Sequence, residues 1–297
     1  MSTIQLLPLA SSIIILVFAW LVLRRYAVRR GRHLLIWGIG LLMFGAASLA
    51  EAYSASAWHP LVFRLWYLGG AVLSAAWIGQ GTVYLLAGAR LPNLLVSLVF
   101  GYAAAAALVL ILGRFGLSTG IVAALIAFLG LVFGAVVHRL LVRRWHPQRL
   151  AAVLTALLVA GSLVAAYLIF SIPLDGSRFD AGRALSAQYR EILPPGAVVR
   201  KLTPVFNIYG TITLVGGALY SAWLLWRKEI APHRVLGNIL IAAGAFVIAS
   251  ASTMVRLGLG DYLYAGEFLA ASLMFSGFLL ATSKVGSTAS STEAAGA

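Results

Sequence analysis

Residues 4–23 read IQLLPLASSIIILVFAWLVL, and the nine residues that follow, 24–32, read RRYAVRRGR. An apolar run of about 20 residues is long enough to cross the roughly 30 Å hydrocarbon core of a bilayer as an α-helix. Arginines directly after such a run are typical of a cytoplasmic helix end. Because the basic residues follow the apolar run, the pattern predicts a retained transmembrane helix and not a cleaved signal peptide.

The same alternation of apolar runs and basic links recurs along all 297 residues. Apolar residues make up 62% of the chain and charged residues only 10%, with a mean hydropathy of +0.97. In soluble domains about a quarter of all residues are charged. The much lower charged fraction of this chain predicts an all-α, polytopic transmembrane helix bundle. About nine spans are predicted, at residues 4–23, 34–52, 61–86, 94–112, 121–141, 150–170, 204–226, 235–255 and 262–282.

The distribution of basic residues between these segments predicts the orientation in the membrane. With the N-terminus outside and the C-terminus in the cytoplasm, fourteen of the 22 Lys and Arg residues fall in cytoplasmic links, with a net charge of +12 inside against +2 outside. Basic residues are retained on the cytoplasmic side, so we expect a protein integral to the cytoplasmic (plasma or inner) membrane. The fourteen are Arg24, Arg25, Arg29, Arg30, Arg32, Arg90, Arg139, Arg143, Arg144, Arg149, Arg227, Lys228, Arg234 and Lys284.

The links and the ends of the chain predict the domain organisation. Residues 1–285 are expected to form one membrane domain, and residues 286–297, mostly small and polar, a disordered tail. The long external link, 171–203, is expected to form a short helix that begins near a capping box at Ser177 and Asp180 and ends before Pro194. Its role is left open between an interfacial connector and a lid. A weak parallel repeat of residues 4–90 and 204–284 is a further hypothesis.

Several functional classes are disfavoured by residue types and spacing. The absence of cysteine removes thiol chemistry and disulfides. The basic residues are spread over helix ends, which fits contact with anionic lipids at the cytoplasmic face and not nucleic-acid binding. The histidines have no haem or metal spacing, so no cofactor is predicted. No motif for an enzyme is found, although a carboxylate-based lipid enzyme using Glu51 and Glu267 remains an alternative.

Polar residues at the external ends of the apolar segments are the candidate site. An ionisable side chain in hydrocarbon costs several kcal/mol unless it is paired or hydrated, so such residues mark either packing contacts or a functional cavity. One interpretation pairs Glu267 and Glu51 with Arg64 and Arg256 in ion pairs that hold the helices together. The other assigns an outward-facing ligand cavity to Glu51, Arg64, Tyr67, Asn207, Tyr209, Arg256 and Glu267.

Together these observations predict a multi-pass membrane protein that binds or translocates a small molecule or a lipid through an outward-opening cavity. Two alternatives belong to other classes: a membrane sensor or accessory subunit of a membrane complex, and an intramembrane lipid-modifying enzyme. The sequence predicts the lipid bilayer as the surroundings of the chain, and it makes no prediction of oligomeric state.

Overall fold

The computed structural model describes residues 3–112, 119–140, 142–229, 232–256 and 262–283, and within these residues all regular structure is helical. This confirms the all-α prediction for the described part of the chain. We number the helices α1 Thr3–Arg29, α2 Arg32–Ser54, α3 Pro60–Leu85, α4 Leu91–Leu112, α5 Thr119–Leu140, α6 Pro147–Ser171, α7 Leu185–Ile192, α8 Val199–Arg227, α9 Pro232–Arg256 and α10 Leu263–Thr282.

Eight of these helices, all except α4 and α7, are long and apolar enough to cross a membrane. The chain therefore has the architecture of a multi-pass membrane protein. The predicted fourth span forms α4, and the count of nine spans stays a prediction. The orientation, the single domain and the repeat also stay predictions, and the tail at 286–297 lies outside the described residues.

Several helices extend beyond their apolar runs. Helix α1 continues to Arg29, six residues past the predicted end, and α8 begins at Val199, five residues before the predicted start. Arginine and lysine are good helix formers, and their long side chains keep the charge in water while the backbone continues as a helix. The apolar run therefore marks the part of each helix that is suited to hydrocarbon, and the helix itself is longer.

The described chain packs as two compact units, residues 83–161 and the remainder. In the smaller unit, α4 packs on α5 at a point where Gly101 meets Gly130 and Gly134. A Cβ at position 101 would overlap backbone atoms of Gly134, so only glycine permits this approach. A polar contact lies beside it, because the Ser97 hydroxyl is 3.2 Å from Nδ1 of His138.

In the larger unit, α1, α2, α9 and α10 pack along their lengths, and α8 packs on α9. Large aromatic and aliphatic side chains fill the interior of this unit, with the ring of Phe18 4.9 Å from the ring of Phe278. The buried cluster consists of Ile15, Phe18, Ala19, Val22, Leu34, Leu41, Phe44, Ile78, Leu214, Ala245, Ala271, Met274 and Phe278.

Helices α3 and α8 each contain a π-helical turn, at Tyr67–Leu73 and at Ile212–Gly216. The two helices cross closely where Gly79 meets Gly210, and a Cβ on Gly210 would overlap the carbonyl carbon of Ala75. Small residues at a crossing allow two backbones to touch, which compensates for the lack of a hydrophobic driving force between helices in lipid. Two interrupted helices thus meet at one tight point, and π turns are frequent at functional sites.

The link 171–203, which we call the connector, is folded and contains α7, but the predicted start of its helix was wrong. Asp175, not Ser177, acts as the cap: its carboxylate accepts from the Ser177 backbone N–H at 3.3 Å and from the Ser177 hydroxyl at 2.5 Å, and it begins only a 3₁₀ turn. The α-helix begins at Leu185. Gln188 fills the gap between them, since its side-chain amide donates to the carbonyls of Asp180 and Arg183 at 2.8 Å each.

Candidate functional site

The larger unit encloses a cavity of about 570 Å³. This volume is within the range of roughly 300 to 1,000 Å³ that is typical of small-molecule sites. Its wall is built from one face each of α2, α3, α8, α9 and α10, together with residues of the connector. Most of the wall is apolar or small, with a few carboxyl, amide and hydroxyl groups among the apolar side chains.

Helix α2 contributes one continuous face to the cavity. Phe44, Ala47, Ser48 and Glu51 all line it, at the spacings i, i+3, i+4 and i+7 that fall on one side of an α-helix. The same helical spacing relates Leu263 to Glu267 on α10. Each carboxyl group therefore enters the cavity from the inward face of a spanning helix.

The carboxyl groups of Glu51 and Glu267 lie within hydrogen-bonding range of each other. Glu51 is 1% exposed and Glu267 is 7% exposed, and Trp66 donates its indole N–H to Oε1 of Glu51 at 2.6 Å. A hydrogen bond between two carboxyl groups requires a proton on one of them. Two carboxyl groups this close can share one proton, as the carboxyl dyads of aspartic proteases do.

Three buried oxygens of residues in this part of the cavity wall have no hydrogen-bond partner from another group of the described structure. They are Oε2 of Glu51, Oε2 of Glu267 and the hydroxyl oxygen of Ser48, which is 1% exposed. Buried polar atoms in proteins are nearly always hydrogen-bonded, so three together on one cavity wall require an explanation. A bound ligand or water that donates hydrogen bonds is the ordinary explanation for such a group.

The connector covers one end of the cavity and is bonded to the spanning helices there. Tyr264 of α10 accepts the backbone N–H of Leu185 at 3.2 Å, and the Tyr67 hydroxyl is 3.1 Å from that of Thr203. Arg190 and Arg200 both line the cavity, and their guanidinium groups lie 5.8 and 5.9 Å from the centre of the Tyr189 ring. This end of the cavity is therefore cationic and aromatic, whereas the helix-enclosed wall is acidic.

Four of the seven residues predicted from the sequence meet in the wall of this cavity: Glu51, Tyr67, Asn207 and Glu267. Asn207 also donates its amide to the carbonyl of Ala71 at 3.0 Å, which joins α8 to the π turn of α3. Arg64 and Tyr209 are not among the lining residues. Arg256 is the last residue of α9, and its side chain lies outside the described part of the structure.

The predicted ion pair of Arg64 with a buried glutamate is wrong. The Arg64 guanidinium donates to the backbone carbonyl of Ile169 and lies 5.8 Å from the centre of the Phe170 ring. Both contacts are near the C-terminal end of α6. Within the described residues the two buried glutamates face each other, and no Lys or Arg bonds to either of them.

Tyr209 is directed away from the cavity because of the close crossing of α3 and α8. The Tyr209 hydroxyl donates to Oε1 of the buried Gln80. These residues directly adjoin Gly210 and Gly79, the pair at which the two helices touch. Gln80 thus forms an interhelical hydrogen bond with a residue that the sequence interpretation assigned to the cavity.

Ser48 and Trp66 belong to the site but were not predicted. The sequence contained a signal for Ser48, because it lies three residues before Glu51 and hence on the same helix face. Tryptophans near helix ends usually belong to an interfacial aromatic belt, so the sequence position of Trp66 does not indicate a role in the cavity. Its burial and its bond to Glu51 depend on the packing of α3 against α2, for which the sequence gives no signal.

Neither a protein-family model, nor a curated protein, nor a solved structure matches this chain. The functional argument therefore rests on the cavity and on the chemistry of its wall.

Proposed function

We propose that this protein is a multi-pass integral membrane protein that binds a small molecule or a lipid in the cavity lined by Glu51 and Glu267. The observation that supports the proposal is the carboxyl pair itself, buried in the wall of a cavity of about 570 Å³ with oxygens that lack partners. Ionisable groups at membrane depth are costly, and they are usual where a chain binds a ligand or a proton. An apolar wall with few polar groups is typical of a binding site for a small amphiphilic molecule.

In this proposal the cavity opens to the outside of the cytoplasmic membrane. The positive-inside rule supports that orientation, since the connector joins the end of α6 to the start of α8, and the basic residues before α6 and after α8 are at the other ends of these two helices. Those links contact anionic lipids on the cytoplasmic face. Gln80 does not line the cavity, and we infer that the close contact of Gly79 and Gly210 closes the route toward the cytoplasmic end. Translocation therefore requires the crossing of α3 and α8 to open, whereas binding from outside does not.

A cavity of this size favours ligand binding over the role of an accessory subunit. A helix bundle that acts only as a partner for another protein is expected to have a packed interior and an extended face of small residues. The glycine contact of α4 and α5 is already used within the smaller unit. A lipid-modifying enzyme would use the same carboxyl pair, so a chemical product after incubation with lipid would indicate that alternative.

Cysteine accessibility tests the proposal, because the natural chain contains no cysteine. Ser252 lines the cavity from α9, so Ser252→Cys in spheroplasts is expected to react with a membrane-impermeant maleimide added from outside. Ser272 is on α10, does not line the cavity, and donates to the carbonyl of Phe268. Ser272→Cys is the matched control and is expected to stay unlabelled, because a thiol facing lipid does not ionise readily.

Equal labelling of both variants, or labelling of Ser252→Cys only from the cytoplasmic side, would contradict the proposal. A membrane lipid extract or a small-molecule library that slows the labelling of Ser252→Cys at least tenfold identifies a ligand. Mass spectrometry of proteolytic peptides identifies the residue that carries the maleimide label.

A further inference from the structure

The cavity wall near Glu51 and Glu267 has an excess of acceptor oxygens. The unpartnered oxygens comprise one from each carboxyl group and the Ser48 hydroxyl oxygen. Ser48 is one turn from Glu51 on the same face of α2, and all three residues line the cavity. An alkylammonium group carries three N–H donors and one positive charge, so it matches three acceptors beside a carboxyl pair.

The charge of the carboxyl pair also favours a cationic ligand. A pair that shares one proton has a net charge of −1, and within the described residues no Lys or Arg bonds to either carboxyl group. The indole N–H of Trp66 stabilises this charge from one side, at 2.6 Å from Glu51. Both glutamates line the cavity, where a cation would complete the set of partners.

We propose, building on the proposed function, that the cavity binds a primary ammonium compound with an apolar body, and that this cation replaces the proton shared by Glu51 and Glu267. The ammonium group contacts both carboxylates and the Ser48 hydroxyl. The apolar body lies against the aliphatic and aromatic wall, which includes Phe44, Ile78, Ile248 and Met274.

The exchange balances in atoms and in charge. Before binding, the two carboxyl groups hold one proton and one negative charge. The ammonium brings one positive charge, the shared O–H bond breaks, and the proton leaves to water through the cavity. Two carboxylates and one ammonium again have a net charge of −1, so the exchange adds no uncompensated charge to a site of low dielectric constant.

Other titratable and charged groups face the pair from the neighbouring elements. Tyr264 of α10 is electrostatically close to both carboxyl groups, and Tyr67 of α3 lines the same cavity. The connector contributes Tyr189, Arg190 and Arg200. The two arginines contact the connector itself, since the guanidinium of Arg200 donates to the carbonyl of Pro194 at 3.2 Å and Nε of Arg190 donates to the Tyr189 hydroxyl at 3.2 Å.

Three probes of similar shape and different charge test the inference on the full-length protein in lipid nanodiscs. They are 2-phenylethylammonium, the neutral 2-phenylethanol and the anionic phenylacetate. We expect the ammonium to bind at least tenfold more tightly than the alcohol. Calorimetry in buffers of different ionisation enthalpy is expected to report one proton released per ammonium bound. At pH values where the carboxyl pair still holds its proton, the Kd of the ammonium is expected to fall about tenfold for each unit that the pH rises. The reason is that the proton and the cation compete for the same pair.

Variants separate this mechanism from general binding. Glu267→Gln is expected to abolish proton release and to weaken ammonium binding at least tenfold, with a much smaller effect on 2-phenylethanol binding. Ser48→Ala removes one acceptor without altering the carboxyl pair, so we expect several-fold weaker ammonium binding with the same proton release. Glu191→Gln, in the exposed part of the connector, is the matched control and should change neither quantity. Elution as a single species in detergent verifies that each variant is folded.

The remaining outcomes distinguish this inference from the proposed function. Equal binding of all three probes, or preference for the anion, overturns the ammonium site and leaves a cavity that binds small molecules. Ammonium binding without proton release overturns the exchange. If no probe binds while Ser252→Cys is labelled from outside, the ammonium inference is wrong and the open cavity stands. If no probe binds and Ser252→Cys stays unlabelled, both proposals are wrong.

Discussion

Acidic residues have different partners in the connector and in the cavity wall. In the connector, Asp175 bonds to Arg178 at 3.3 Å and Glu191 bonds to Arg183 at 3.0 Å, and all four side chains are exposed. In the cavity wall, Glu51 and Glu267 are buried, face each other and bond to no arginine in the described part of the chain. Of these four acids, the two exposed ones pair with arginine and the two buried ones pair with each other.

This difference teaches which acids serve packing and which are available for function. An exposed ion pair gains little, because water and salt screen it and both side chains lose freedom. A buried acid pair is costly to maintain, and an arginine partner would remove that cost. Arg190 and Arg200 line the same cavity and bond within the connector, so the two glutamates have no arginine partner in the described structure although cations are near.

Removal of a buried carboxyl is expected to have the largest effect on stability. Glu51→Ala leaves the indole N–H of Trp66 and the Glu267 carboxyl without a partner and opens space in the wall, so we expect a loss of about 3 kcal/mol in the free energy of unfolding. Unfolding by SDS titration in mixed micelles measures this change.

Glu51→Gln is the control for that prediction. The amide keeps an acceptor for Trp66 and a donor toward Glu267, so the expected loss is below about 1 kcal/mol. Glu191→Ala in the connector is expected to leave the transition unchanged. Equal effects of the buried and the exposed substitutions would remove the distinction between the two regions.

The crossing of α3 and α8 is expected to be the next most sensitive place. Gly210→Ala puts a methyl group into the backbone of Ala75, so we expect a loss of about 2 kcal/mol. Gly216→Ala, on the same helix, has nothing within 4 Å of the added Cβ and is the matched control. It is expected to be neutral or slightly stabilising in the same SDS titration. Similar losses for the two variants would show that helix propensity, not the close approach, limits the stability of α8.

The smallest effect is expected from acid on the connector. The Ser177 hydroxyl and the Arg178 guanidinium lower the pKa of Asp175, and the Arg183 guanidinium lowers the pKa of Glu191. A carboxylate whose pKa is lower in the folded state contributes stability above its ordinary pKa, and this contribution is lost as the pH falls through the folded pKa. We therefore expect the connector to loosen below about pH 4 while the spanning helices stay folded.

Limited pepsin digestion as a function of pH measures this opening. The combined variant Glu191→Gln and Asp175→Asn lacks both titrating groups, and its cleavage should depend less on pH. Cleavage within α2 or α10 at the same pH would mean that the cavity wall, and not the connector, responds first to acid.

The spanning helices were predictable because each is encoded locally. About 20 apolar residues in a row require a membrane, and the backbone can then satisfy its hydrogen bonds only as a helix. The eight helices that meet the length and hydropathy of a span lie within a few residues of predicted segments. Their ends were less predictable, because α1 and α8 continue into charged residues that are themselves good helix formers.

The candidate site was predicted in part. Polar residues within apolar segments are conspicuous, so Glu51, Tyr67, Asn207 and Glu267 were identified individually. Their partners were not, because a contact across the bundle depends on how far each helix is rotated about its axis. One such rotation directs Arg64 to the carbonyl of Ile169. The close glycine contact of α3 and α8 places Tyr209 beside Gln80. Neither the Arg64 contact nor the Tyr209 contact could be predicted from the local sequence.

By itself the sequence determined that the chain is suited to a bilayer, that its backbone is helical and which polar residues are unusual within apolar segments. These features depend only on composition and on neighbours along the chain. Only the tertiary structure decided that two glutamates more than 200 residues apart meet in one cavity. The reason is that charge alone favours pairing each glutamate with an arginine, whereas the rotation and close crossing of packed helices determine which side chains actually meet.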